Sequence, residues 1–95
     1  GVIVYKRIGG TGYPTPASWL IEPGAYLTEV VNPSRTVLGA CGVNFGTRAW
    51  CDKCYIDAAL WRCRIEWLDL AGVVVPYHTD GKARCARLRL LEIVE

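Results

Sequence analysis

Ninety-five residues, 52% hydrophobic and 21% charged, suffice for a single domain spanning 1–95 that buries only about 60–65% of its chain surface on folding. That size excludes a multidomain enzyme. Lysine plus arginine total 11 against 9 aspartates and glutamates, a formal charge of +2, which is far from the basic excess of a dedicated nucleic-acid binder. Five cysteines is an odd number, and with no apolar leader core or A-x-A-like cleavage site the expectation is reduced thiols in a cytoplasmic, bacterial setting. No apolar run approaches the roughly 20 residues that cross a bilayer, so no membrane partner is expected.

Gly9, Gly10, Gly12, Pro14, Pro16, Pro23, Gly24 and Pro33 punctuate the first half and leave only short windows for regular structure. Strands are expected at Val2–Ile8, Ser18–Ile21 and Tyr26–Val31, each rich in β-branched or aromatic residues. Thr47 can cap a helix, and Trp50, Cys54 and Ala58 then share one face, which predicts a helix over about 47–58. Leu60–Trp67 alternates strictly: Trp61, Cys63, Ile65 and Trp67 face the core, Arg62, Arg64 and Glu66 face water. Val73–Val75 is a short apolar strand. Asp80-Gly81 turns the chain into a long terminal strand over 82–92, strongest from Cys85 to Ile93, with Ala86, Leu88 and Leu90 opposite Arg87 and Arg89. The expected class is α+β, an antiparallel or mixed sheet of about five or six strands with one principal helix.

Four thiols, Cys41, Cys51, Cys54 and Cys63, have the count for a tetrahedral zinc site, in the spacing C-x9-C-x2-C-x8-C. Cys51 and Cys54 fall inside the expected helix and Cys63 has core parity, so packed thiols are expected, with no metal and no cofactor. A Cys-x-x-Cys redox pair would open a helix rather than sit within it. Arg62, Arg64, Arg87 and Arg89 would make a phosphate-tracking face if their strands adjoin, although the stacking aromatics of single-strand binders are missing from that face. His78, Thr79, Asp80, Lys82 and Arg84 crowd one loop that could hold an anion or a general base, or be a polar hairpin loop. No nucleophile is set against His78. Four tryptophans are many for this length, and Trp19, in the loop-rich half, is the expected exposed contact residue.

Cys41-Gly42-Val43-Asn44-Phe45-Gly46-Thr47 with Trp50, and Val74-Val75-Pro76-Tyr77-His78-Thr79-Asp80-Gly81-Lys82-Ala83-Arg84, resemble an uncharacterised domain family found beside pentapeptide repeats and as small proteins of actinobacterial phages. The resemblance covers almost the whole chain, from Val4-Tyr5-Lys6 through the Pro23-Gly24 turn. Many members carry a histidine where Asn44 stands here. The resemblance implies a non-enzymatic phage protein that binds a host bacterial protein, to the host's cost, through Trp19, Asn44, His78, Asp80, Lys82 and Arg84; a homo-oligomer is compatible with it. One alternative is an ADP-ribosyltransferase-like nucleotide-binding enzyme using the Cys41–Thr47 turn and the His78–Arg84 loop. Another is nucleic-acid binding by the four arginines.

Overall fold

A computed structural model describes residues 1–11 and 14–94. Gly12, one of the expected loop glycines, lies outside the described residues. The chain forms β1 (Val2–Ile8), β2 (Tyr26–Thr28), β3 (Val43–Gly46), α1 (Arg48–Cys51), β4 (Ala59–Ile65), a 3-10 helix (Trp67–Gly72), β5 (Lys82–Cys85) and β6 (Arg87–Ile93). The strands make one antiparallel sheet in the order β2-β6-β4-β1-β3-β5. Only Ala86 separates β5 from β6, yet β5 pairs with β3 at one margin while β6 pairs with β4 near the other. The sheet therefore curls until one bent strand runs along both sides of it. None of the described helices is long and apolar enough to cross a membrane.

Alternation selects what goes inside the curl. Val4 lies opposite Cys63 and Leu90 opposite the same cysteine, while Leu27 meets Leu88, and all are buried. Val43, Phe45, Ala83 and Cys85 extend the core through the β3–β5 pair. Trp61 is 4% exposed, as its parity requires.

The α+β balance is met only in part, because the sheet dominates and α1 has four residues rather than the expected twelve or so. Thr47 does cap it, its hydroxyl accepting from the Trp50 amide at 3.1 Å. The helix stops where Arg7 reaches across from β1: Nε donates to the Cys51 carbonyl and Nη1 to that of Ala58, both at 3.0 Å. Tyr55 then takes a positive φ of 52°, which no helix continues through. Cys54 and Ala58 thus lie beyond α1.

Other boundaries shift for similar reasons. Ser18–Ile21 is not a strand, since the Trp19 amide closes a turn onto the Pro16 carbonyl. β2 ends at Thr28, and Val73–Val75 contributes one isolated bridge, Val74 with Arg84. β3 occupies a segment expected to be a turn. Ala86 is exposed and unpaired with the core, and the Glu29 amide donates to its carbonyl at 3.0 Å. The bend there shifts the inward positions from Ala83 and Cys85 to Leu88 and Leu90, so the expected single parity fails at Ala86.

Trp67 is not a core residue. The chain leaves the strand at Glu66 and winds into the 3-10 helix, which swings Trp67 out to 68% exposure and packs Leu70 and Val73 against the core instead. Urea denaturation should separate the two tryptophans. Trp61→Ala is expected to cost about 3–5 kcal/mol and Trp67→Ala less than about 1 kcal/mol.

Candidate functional site

β1 and β3 pair at a single position, Tyr5 with Gly46. Beyond it the strands part around a cleft of about 50 Å³, whose lining includes Lys6, Trp19, Asn44, Trp50, Tyr55 and Lys82. Gly46 lets α1 approach this closely, because a Cβ there would stand 2.7 Å from the Trp50 ring. Lys6 occupies the inward beat of β1, between Val4 and Ile8 and opposite Trp61. Its Nζ donates to the Asn44 carbonyl and lies 5.2 Å from the Trp19 ring centroid. Lys82 Nζ is 5.6 Å from the ring of Trp50. Among the described residues no carboxylate pairs with either lysine.

Burial lowers Lys6 to about 8, with a smaller push from the like charge of Lys82, and burial lowers Lys82 as well. The neighbouring thiols supply no counter-charge at neutral pH. Burial raises Cys51 to about 11 and both Cys63 and Cys85 to about 12. The cleft is thus cationic over an apolar, aromatic floor.

Of the expected contact residues, Trp19, Asn44 and Lys82 line this cleft, whereas His78, Asp80 and Arg84 do not. Trp19 is half-buried rather than exposed, and its Nε1 donates to the Thr28 carbonyl at 3.2 Å. Asn44 commits its side-chain amide to the carbonyls of Ala40 and Gly42, at 3.1 and 3.2 Å. His78 is exposed; Asp80 is exposed and 3.9 Å from Lys53 Nζ; Thr79 accepts from the Lys82 amide at 2.8 Å to close the turn.

Arg84 departs furthest from expectation. It is 0% exposed, held by the carbonyls of Asn32 and Val37 at 2.9 Å each and by that of Ser34. A surface loop residue has become a structural clamp.

The structure does not bring the four thiols of the zinc alternative together: Cys41 is exposed while Cys51 and Cys63 are buried, and no group of three or more metal-ligating side chains converges among the described residues. The four arginines do face outward on adjoining strands, with Arg64 directly opposite Arg89. Arg62 pairs with Glu92 at 3.1 Å, Arg64 with Glu66 at 3.0 Å and Arg87 with Asp69 at 2.9 Å. Arg89 donates to the Gly24 carbonyl at 3.3 Å and lies against Tyr26. The face is largely self-neutralised.

Two features escaped the sequence reading. Lys6 carried a signal, a charge at an inward beat among Val2, Val4 and Ile8. The exposed turn at Trp67 and Leu68 carried none, because alternation pointed Trp67 inward. No protein-family model, curated protein or solved structure matches the chain.

The buried cleft groups make stability pH-dependent in opposite senses. Lys6 ionises at about 8 in the fold against 10.5 unfolded, so between those values the unfolded chain binds more protons and stability rises with pH. The three raised thiols do the reverse above their unfolded value of 9, where the fold holds protons that the unfolded chain releases. The urea midpoint should climb from about pH 7 to about 8.5 and fall beyond about 9.5. Lys6→Met should remove most of the climb and leave the fall.

Proposed function

We propose that the protein works by binding a partner protein, in the phage setting implied by its sequence a protein of the bacterial host, and that it makes contact through the turn at Trp67 and Leu68. The observation that carries this reading is the display of two large apolar side chains, 68% and 91% exposed, at the start of the 3-10 helix. Asp69 anchors the turn to Arg87 at 2.9 Å, and Leu70 and Val73 pack on the core behind it. A turn anchored in this way presents a large aromatic side chain on a fixed backbone, the kind of residue enriched in interface hot spots.

The alternatives draw less support. A transferase using Asn44 in place of the family histidine would need a titratable group, and the Asn44 amide neither titrates nor is uncommitted. Nucleic-acid binding by the arginine face would have to break ion pairs to Glu92, Glu66 and Asp69 before meeting phosphates.

Affinity capture from a mycobacterial-type lysate, with and without nuclease, tests the reading. One host protein should be retained in stoichiometric amount after nuclease treatment and by an Arg89→Ala variant. Trp67→Ala combined with Leu68→Ala should abolish retention while leaving the melting temperature within about 2 °C. Capture indifferent to the double substitution, or lost on nuclease treatment, overturns it.

A further inference from the structure

The cleft between β1 and β3 does not belong to the Trp67 turn, and its electrostatics are unfinished. Lys6 has three donors on its ammonium, and the Asn44 carbonyl accepts from one. The Trp19 face gives the charge a weak partner at 5.2 Å. Lys82 brings a second ammonium to the same lining. From α1, β4 and β5 the groups facing Lys6 are Cys51, Cys63 and Cys85, protonated at neutral pH, and Lys82, of like sign. Arg7, which also lines the cleft, is engaged with the carbonyls of Cys51 and Ala58. Two desolvated ammonium groups without a carboxylate are costly, and an anion entering the cleft would offset that cost.

The walls narrow the choice of anion. A cavity of about 50 Å³ has room for a carboxylate and a short stem, since a single water needs roughly 10–15 Å³ on the same measure, and a larger body would lie across its mouth. Trp19, Trp50, Phe45 and Tyr55 supply flat apolar faces around it. Inorganic phosphate carries more charge into an apolar lining and gains nothing from those faces. We propose that this cleft is a binding site for a small carboxylate on a flat apolar body, its charge held by Lys6 and Lys82 and its body laid against the tryptophans. A free aromatic acid and the carboxyl terminus of an aromatic-ended peptide share that chemistry.

Benzoate, N-acetylphenylalanine, its amide and inorganic phosphate are the probes, titrated into the whole protein with heteronuclear NMR reporting the Lys6 methylene and the indole N–H signals. Benzoate or N-acetylphenylalanine should shift both signals saturably, the tighter of the two identifying the source, while the amide and phosphate bind at least tenfold more weakly. Because Lys6 loses its charge near pH 8 in the free site, the dissociation constant should rise about tenfold from pH 7 to pH 9. Lys82→Met should weaken binding at least fivefold, and Lys6→Met should abolish it in a protein whose indole dispersion shows that it is folded. Should Lys6→Met not fold, the wild-type pH profile and Lys82→Met still decide. Phosphate binding as tightly as benzoate, an affinity flat from pH 7 to 9, or shifts confined to residues outside the cleft would each overturn the proposal. None of these outcomes depends on Trp67, so the site and the proposed partner contact stand or fall separately.

Discussion

A single buried guanidinium organises the irregular half of the molecule. Arg84 sits in β5 with its backbone paired to Asn44 on one side and to Val74 on the other, and its side chain gathers the carbonyls of Asn32, Ser34 and Val37. Five donors in one rigid plane can serve three carbonyls from a loop with no helix or strand of its own. Lysine could not span them. Gly42 permits the arrangement, since it runs at φ +136° and a Cβ there would stand 3.3 Å from that of Arg84. The loop so fixed carries Arg35, which donates to the Val75 carbonyl and stacks on Tyr77 at 4.1 Å. Segments far apart in sequence are thus tied to one charge, whose compensation is entirely dipolar among the described residues.

How much of this could be read from the sequence depends on whether local chemistry or a distant partner decides each element. β1 and the body of β4 were legible because strict alternation of apolar and polar residues has one good solution on a half-buried surface. Thr47 as a cap was legible for the same local reason. The helix end was not, because Arg7 terminates it from a strand some forty positions away. Trp67 was misassigned because alternation cannot foresee the departure at Glu66, where Asp69 answers Arg87 across the sheet. The bend at Ala86 likewise arises where consecutive strands serve neighbours on opposite sides of the sheet.

The site divides along the same line. Lys82 and Asn44 were singled out from a motif, yet the motif suggested a loop chemistry with His78 and Asp80, which the fold sends elsewhere. Their real neighbour, Lys6, stands at an inward strand position and becomes notable only when Trp19 lies against it and Lys82 joins the same cleft. Net charge was no guide, since the four outward arginines are largely balanced by acids while the lysines of the cleft are not. Arginine in a loop-like motif reads as solvated; Arg84 is buried because the carbonyls it serves are themselves remote in sequence.

The strand that bends at Ala86 also covers two strand edges that are far from each other in the sheet. Positions 2–8 pair with 59–65, 26–28 with 87–89 and 43–46 with 82–85. None of these pairings is a tight hairpin, so each must close a long loop before it gains any contact, which is the pattern of slow folding. Until 82–93 docks, β3 and β4 each present an open edge, and those edges are the surfaces on which a nascent chain would meet other chains. Docking of that one segment covers both edges at once.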